Sequence, residues 1–100
     1  MTPLDQYSRI INDLCEKHKV KRLYAFGSVL TDKFSETSDI DFMVDFDSID
    51  LQQYADNYFS LKFALEETLH RRVDLLEERA LKNPFFKKAV EGQRRLIYGS

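Results

Sequence analysis

Three aspartates have the residue type and the placement to bind a divalent cation. Asp39 and Asp41 are separated by one residue at the start of an apolar stretch. On a strand their side chains point the same way, with roots roughly 6.5 to 7 Å apart. Carboxylates held side by side repel each other, and Mg²⁺ offsets this because it prefers oxygen ligands, commonly one or two carboxylates plus substrate phosphates. Asp74, in the apolar segment 73–76, is the third candidate.

Each of these acids also has a purely structural interpretation. Asp39 can cap a turn, and Asp41 can be a solvated strand residue. Asp74 can form a salt bridge with Arg71 or Arg72, because an acid within a core strand is costly unless it is paired or bound to metal. A bare Asp-x-Asp triplet is common by chance, so a functional site has to rest on the acids together with other residues.

Gly27–Ser28 supplies such residues. The pair lies between an apolar run, Leu23–Phe26, and a predicted short helix at 28–34. Glycine lets the backbone approach a ligand closely, and the N-terminus of a helix offers free amides to a phosphate. An ordinary turn with a capping serine is the alternative. Acids from two strands beside a phosphate-binding turn indicate metal-assisted nucleotidyl transfer.

The rest of the chain predicts the elements that position these residues. Apolar residues at three- and four-residue spacings indicate helices, and short β-rich runs bounded by turn residues indicate strands. Their alternation predicts an α/β (α+β) fold with a mixed β-sheet of three to four strands flanked by helices. The predicted helices are 4–18, 28–34, 51–70 and one opened by Asn83–Pro84, and the predicted strands are 20–26, 39–46, 71–77 and 95–98.

Several details of packing follow from the same patterns. Period-two alternation along 39–46 places four apolar residues on a core face and the acids on the opposite face. The predicted helix-capping residues are Thr2 with Pro3 in the first turn, Ser48 or Asp50, and Asn83. The residues expected to bury the last helix are Phe85, Phe86, Ala89 and Val90, with Gly92 as its stop.

Aromatic residues of the helix at 51–70 follow helical spacing in part, which allows a core or a partner-facing stripe. Tyr58 and Phe59 cannot both face the same core, so one of them marks an interface. The apolar stripes of the two longer helices are predicted to contain Leu4, Tyr7, Ile10, Ile11, Leu14, Cys15 and His18, and Leu51, Tyr54, Ala55, Tyr58, Leu61, Leu65 and Leu69.

Composition limits the function classes. The chain has 100 residues and a formal net charge of -2, so we expect one domain spanning 1–100 without direct nucleic-acid binding. No apolar run approaches the roughly 20 residues that span a bilayer, and the N-terminus is unlike a secretory signal, so we expect a cytoplasmic protein. Cys15 is expected to be a buried apolar residue. His18 and His70 lack metal-ligand spacing, which favours helix-end or surface roles.

Gly27–Ser28, the ten-residue gap and Asp39-Ile40-Asp41 before an apolar strand resemble the signature of the DNA polymerase β-type nucleotidyltransferase superfamily. The short chain and the segment Ser-Asp-Ile-Asp-Phe-Met-Val at 38–44 resemble members of its minimal nucleotidyltransferase (MNT) branch. This resemblance runs from the first helix to Asn83–Pro84 and implies the nucleotidyltransferase fold.

The resemblance also implies roles for the residues. Asp39 and Asp41 would hold two Mg²⁺ ions that contact the triphosphate of ATP or another nucleoside triphosphate, and Asp74 would complete one metal site. Gly27 and Ser28 would bind the nucleotide phosphates. Many minimal members carry an arginine after Gly-Ser, whereas this chain has Val29 to Lys33 there.

Members of the MNT branch pair with a helical partner of the HEPN type, and several pairs act as toxin and antitoxin in which AMP is added to a tyrosine of the partner. The resemblance therefore implies an antitoxin that transfers AMP to such a protein. A non-catalytic antitoxin that masks its partner and a transferase acting on a small molecule are the alternatives. Because the chain is short, the acceptor platform is expected to come from a partner or a second copy. The basic residues Lys87, Lys88, Arg94 and Arg95 form either a solvated face or an acceptor contact.

Overall fold

The computed structural model describes residues 4–31, 34–35 and 38–99. Within these ranges, helices and strands alternate along most of the chain. The helices are α1 (Ser8–Lys17), α2 (Leu51–Leu69) and α3 (Pro84–Gln93), and the strands are β1 (Val20–Phe26), β2 (Ile40–Phe46), β3 (Val73–Glu77) and β4 (Arg95–Tyr98).

The four strands form one mixed sheet in the order β3-β2-β1-β4. β1 runs antiparallel to both β2 and β4, whereas β2 and β3 run parallel. The parallel pair requires a long crossover, which α2 provides. The predicted mixed sheet is confirmed, including the short terminal strand.

The main core lies between one face of the sheet and helices α1 and α2. The four predicted core residues of β2 are all at most 4% exposed, as period two requires. Cys15 on α1 is fully buried, and Leu61 and Leu65 on α2 are too. The β2 residues of this core are Ile40, Phe42, Val44 and Phe46.

The opposite face has a much smaller apolar cluster, and the prediction that four residues would bury the last helix is wrong. Phe85 is 85% exposed and Phe86 is 42% exposed, Ala89 is exposed as well, and only Val90 is buried, against Phe26 and Met43. Aspartates of β2 and β3 share this face with the apolar residues of the cluster, so the apolar surface that α3 can cover is small. Helical spacing of aromatics cannot distinguish a sheet-facing from a solvent-facing stripe.

Some residues of the apolar stripes predicted for the two longer helices are exposed instead of buried. Ile10 is 48% exposed, Leu51 is 90% exposed, and Ala55 is exposed. Leu51 is the first residue of α2 and precedes the first side chain that reaches the core. That side chain is Tyr54, whose ring lies edge-on to Phe46 at a centroid distance of 5.6 Å.

Several element boundaries differ from the prediction. The first helix begins with a 3-10 turn at Asp5–Tyr7, and the predicted helix at 28–34 is a four-residue 3-10 turn, Gly27–Leu30. Asp50 is the N-cap of α2, but its side chain makes no capping hydrogen bond. Gly92 lies inside α3 instead of ending it. The predicted cap formed by Thr2 and Pro3 lies outside the described residues, as does Lys33.

One helix cap and one sheet edge are well formed. The Asn83 side chain accepts hydrogen bonds from the backbone N–H groups of Phe85 and Phe86, as predicted for the start of α3. On the outer edge of β3, the Tyr58 hydroxyl donates to the carbonyl of Leu75, and the Val73 N–H donates to Glu66 Oε2 at 3.0 Å. None of the described helices has the length and apolarity needed to cross a membrane.

Candidate active site

The parallel register of β2 and β3 brings two of the predicted acids together. Asp41 and Asp74 are directly paired across the two strands, whose backbones lie about 4.8 Å apart in such sheets. Asp39 directly precedes β2 and is exposed, as is Asp74, whereas Asp41 is partly buried. Asp41 and Asp74 thus share the face opposite the main core, and Asp39 precedes Asp41 by two residues, where its charge acts on Asp41.

The Gly27 turn touches this group. Gly27 directly follows β1, in which Phe26 is paired with Asp41. Gly27 has φ +78°, and a Cβ added there would lie 2.5 Å from Asp41 Oδ2. Both the backbone conformation and the close carboxylate require a residue without a side chain. Ten residues separate Gly27–Ser28 from Asp39–Asp41 in the sequence, yet Gly27 and Asp41 lie side by side.

Electrostatics within the group act on Asp41. Its pKa is raised above the usual aspartate value, first by burial and then by the negative charges of Asp74 and Asp39. Both causes disfavour the ionised carboxylate. A cation bound among these oxygens would oppose both effects.

The structure does not support the interpretation of Asp74 as a salt-bridge partner of Arg71 or Arg72. Among ion pairs of the described residues, Asp74 is joined to neither Arg71 nor Arg72. Arginines instead hold a fourth aspartate farther along β2. Asp45 is 7% exposed and lies 3.2 Å from Arg22 Nη2 and 3.2 Å from Arg79 Nε. Asp45 is therefore a neutralised structural acid, whereas the acids at the start of the strand are not neutralised in this way.

Ser28 lies one residue from the acid-contacting glycine and is partly buried. Its carbonyl accepts hydrogen bonds from the N–H and the hydroxyl of Thr31, both at 2.9 Å. The turn is a single four-residue 3-10 element, so the dipole of a long helix is not available to a phosphate here. Any phosphate contact has to come from local amides and the Ser28 hydroxyl.

The donor chemistry of this site fits Mg²⁺. All candidate ligands are carboxylate oxygens, and a cation would compensate both causes of the raised pKa of Asp41, its burial and the neighbouring negative charges. Over the described ranges, no three acid, histidine or cysteine side chains converge into a preformed metal cage. Mg²⁺ usually keeps several waters and binds through one or two carboxylates together with substrate phosphates, so an open arrangement of this kind suits it.

The two histidines and the cysteine have structural roles. His18 ends α1, where its Nδ1 lies 2.8 Å from the carbonyl of Leu14, and His70 ends α2 with φ 55°. Burial raises the pKa of Cys15 to about 12, so this thiol stays protonated. These observations agree with the helix-end and buried-core roles predicted for them.

Sequence reasoning missed the environment of Arg71. This side chain donates to the backbone of the segment that connects the Gly27 turn with Asp39, and its guanidinium lies 4.3 Å from the Phe34 ring centroid. The partners are 33 and 36 residues away along the chain. No local sequence pattern signals such contacts.

Comparison with known proteins agrees with this geometry. The family model described as nucleotidyltransferase domain matches residues 7–97. The chain belongs to the nucleotidyltransferase domain family. The resemblance inferred from Gly27–Ser28 and the Asp39–Asp41 pair is thereby confirmed.

Individual relatives of this nucleotidyltransferase support the assignment. An inferred protein adenylyltransferase of Methanocaldococcus jannaschii is 37% identical over 95 residues, which cover 95% of this chain and 89% of the relative. The solved structure of an inferred minimal nucleotidyltransferase matches with a TM-score of 0.76 and 32% identity, over 92% of this chain and 90% of that one. A crystal structure of a toxin–antitoxin with AMP-PNP contains a chain with a TM-score of 0.72 and 25% identity, covering 97% of this chain and 75% of that one.

The close approach of Gly27 to Asp41 predicts the effect of adding one methyl group. Gly27→Ala should lower the free energy of unfolding by about 1–3 kcal/mol, because alanine is strained at positive φ and its Cβ would collide with the carboxylate. Gly92→Ala is the matched control: it has nothing within 4 Å and lies in α3, so it should raise stability by about 0.5–1 kcal/mol. Urea unfolding followed by circular dichroism measures both. Equal stability of Gly27→Ala and wild type would contradict the contact.

The raised pKa of Asp41 predicts a stability change that depends on pH. Ionised Asp41 destabilises the metal-free fold at neutral pH, and this penalty disappears as pH falls through the raised pKa of the folded state towards the usual aspartate pKa of 3.8. Asp41→Asn should therefore stabilise the metal-free protein at pH 7, with an advantage that shrinks as pH falls. Urea titrations with a chelator from pH 7 to pH 4 measure this, with the exposed Asp13→Asn as control. An advantage that is independent of pH would refute the electrostatic explanation.

Proposed function

We propose that this chain is a Mg²⁺-dependent adenylyltransferase that transfers AMP from ATP to a helical protein partner of the HEPN type, as the antitoxin of a toxin–antitoxin pair. The observation that carries this proposal is the pairing of Asp41 with Asp74 beside the Gly27 turn. We also propose that residues 1–100 act as a single minimal nucleotidyltransferase domain in the cytoplasm, where ATP and the partner are available.

The proposed roles follow the placement of the residues. Asp39 and Asp41 would hold two Mg²⁺ ions, with Asp74 completing one of the metal sites, and Gly27 and Ser28 would bind the nucleotide phosphates. When bound, Mg²⁺ supplies charge stabilisation to the attacking and leaving oxygens of an in-line displacement. Gly27 leaves room beside Asp41 because it has no Cβ.

In the proposed reaction, a hydroxyl oxygen of the acceptor forms a bond to the α-phosphorus of ATP. The bond from that phosphorus to the bridging oxygen breaks, and pyrophosphate leaves with the electron pair. Asp74 is exposed on the third strand and is the acid placed to accept the hydroxyl proton, which then passes to solvent. The product is an AMP ester of the acceptor.

The similarity to inferred protein adenylyltransferases supports a protein acceptor over a small molecule. The similarity to a chain of a toxin–antitoxin crystallised with AMP-PNP supports both the nucleotide and the partner class. An acceptor supplied in trans also agrees with the exposed position of Asp74.

An apolar groove beside β3 is the proposed docking site for this partner. The groove measures about 360 Å³ and lies between α2 and the residues that directly follow Asp74. Phe59 is 49% exposed and Phe63 is 58% exposed, and their rings stack at a centroid distance of 6.0 Å. Large exposed aromatics of this kind mark interaction sites. Residues that line the groove include Tyr54, Tyr58, Phe59, Leu75, Leu76 and Glu77.

The position of the groove favours the acceptor protein over other occupants. β3 carries both Asp74 and the groove residues Leu75 and Leu76, so a protein seated there would have its surface next to the reacting acids. The same interface would then both dock the partner and present its hydroxyl group. The apolar lining suits the apolar face of a helix.

Incubation with labelled ATP, Mg²⁺ and the product of the neighbouring gene tests the transfer reaction. Wild type should label the partner, and Asp39→Ala with Asp41→Ala should reduce labelling more than about a hundredfold because the metal ligands are gone. The matched control removes two exposed aspartates, Asp13 and Asp47, and should label normally. If wild type and the Asp39/Asp41 variant protect cells from the toxin equally and neither labels it, the protein acts by masking instead.

The docking site predicts a difference between two exposed apolar residues of α2. Phe59→Ala should weaken partner binding by at least about tenfold, because buried aromatic anchors dominate interface energies. Leu51→Ala removes an apolar side chain that is 90% exposed on the same helix but outside the groove, and it should bind within about twofold of wild type. Isothermal titration calorimetry with the purified partner measures both. Equal losses for the two variants would place the interface elsewhere.

A further inference from the structure

One arginine joins the two chain segments that carry the acids. Arg71 lies between α2 and β3, and its Nη1 donates to the carbonyl of Ser35 and, at 3.1 Å, to the carbonyl of Ser38. The same guanidinium covers the ring of Phe34, with its Cζ 4.3 Å from the ring centroid. Three contacts thus hold the connection between the Gly27 turn and Asp39 from a single side chain.

The backbone of Arg72 binds the residue that follows Asp39. The carbonyl of Arg72 accepts a hydrogen bond from the N–H of Ile40 at 3.0 Å. Ser38 and Ile40, the residues that flank Asp39, are therefore both bound by the dipeptide Arg71–Arg72. Asp74 on β3 follows Arg72 by two residues. A short stretch of backbone therefore couples the position of Asp39 to that of Asp74.

This dipeptide is itself anchored on α2. The N–H of Arg71 donates to the carbonyl of Glu66 at 3.3 Å, and the Glu66 carboxylate accepts from the N–H of Val73 at 3.0 Å. Helix α2 buries Leu65 and Leu69 in the core. The clamp on the Asp39 segment thus rests on a packed element.

Building on the proposed function, we propose that Arg71 is a positioning residue that holds Asp39 in place for metal binding. Asp39 precedes the strand and is exposed, so no side-chain packing of its own fixes its position. Ordering such a residue when the metal binds would cost conformational entropy, which Arg71 removes in advance. Outer-shell groups that orient metal ligands typically change metal affinity or activity by about 10–100-fold when they are replaced.

The geometry of this clamp favours arginine. Both hydrogen bonds leave one nitrogen, Nη1, and the rest of the planar guanidinium covers the Phe34 ring. Lysine keeps the positive charge but does not have the flat face. Arg71→Lys therefore separates charge from geometry, and Arg71→Gln removes both. Arg72→Gln is the matched control, because Arg72 contributes its backbone carbonyl to the clamp and its exposed side chain is replaced without altering that carbonyl.

Two measurements that need no catalytic turnover test the proposal. Mn²⁺, a spectroscopic substitute for Mg²⁺, is titrated into the nucleotide-free protein and followed by electron paramagnetic resonance. Hydrogen–deuterium exchange is measured for amides of the segment 34–40 and, as an internal reference, for α2. The Mg²⁺ concentration that gives half-maximal labelling of the partner is measured in parallel.

Arg71→Gln should weaken Mn²⁺ binding by at least about tenfold and speed exchange in the 34–40 segment, while exchange in α2 stays unchanged. Arg71→Lys should also weaken binding, and Arg72→Gln should match wild type. Unchanged Mn²⁺ affinity in Arg71→Gln, or faster exchange throughout the protein, would overturn the positioning role.

The outcomes separate this inference from the proposed function. If wild type labels no partner but the Mn²⁺ and exchange effects appear, the transfer proposal fails and the positioning role stands. If wild type labels the partner and Arg71→Gln does so with the same Mg²⁺ dependence, the transfer proposal stands and the positioning role fails.

Discussion

The parallel pairing of β2 with β3 determines where the acids meet. Two carboxylate charges about 5 Å apart repel by about 3 kcal/mol at an effective dielectric constant of about 20, so this register needs a larger opposing term. The opposite face of the same two strands provides it, because each buried large apolar side chain stabilises the fold by about 1.5–3 kcal/mol. A slip by one residue would turn that apolar face outward. The core residues that hold the register are Ile40, Phe42, Val44, Val73 and Leu75.

Two aspartates on one face of β2 differ in whether nearby positive charges compensate them. Asp45 is nearly buried but lies between Arg22 and Arg79, which compensate its charge. Asp41 is partly buried, and its pKa is raised first by that burial and then by the negative charges of its acidic neighbours. One strand thus carries a structural carboxylate at one end and an uncompensated one at the other. Uncompensated charge in a precise place is typical of a site that waits for a ligand.

The sequence was informative wherever a local period or spacing determined the structure. Alternation along 40–46 was enough to separate the core face from the acid face, and the order of elements was enough to predict the mixed sheet. It was uninformative where the answer depended on distant partners. The spacing of residues 85–90 does not reveal that the sheet face against α3 has only a small apolar cluster, and the side-chain hydrogen bonds of Arg71 join residues that are 33 or more positions apart.

Family resemblance and bottom-up reasoning contributed different parts of the site. Asp39, Asp41 and Asp74 could be proposed as metal ligands from their chemistry and from the resemblance to a known signature. The closeness of Gly27 to the Asp41 carboxylate required coordinates, because it depends on the turn that follows β1 and on a backbone conformation that no motif encodes. That turn is also shorter than the predicted helix at 28–34, since it ends at Leu30.

The outer edge of β3 has a consequence for how this small protein meets other chains. Exposed strand edges are templates for intermolecular pairing and fibril growth. Here side chains of α2 engage two of the backbone groups on that edge, the carbonyl of Leu75 and the N–H of Val73. An incoming strand would have to displace the Tyr58 hydroxyl and the Glu66 carboxylate before it could form a ladder. Strand pairing is therefore disfavoured at these two groups, and side-chain contacts are the easier mode of recognition at this edge of the sheet.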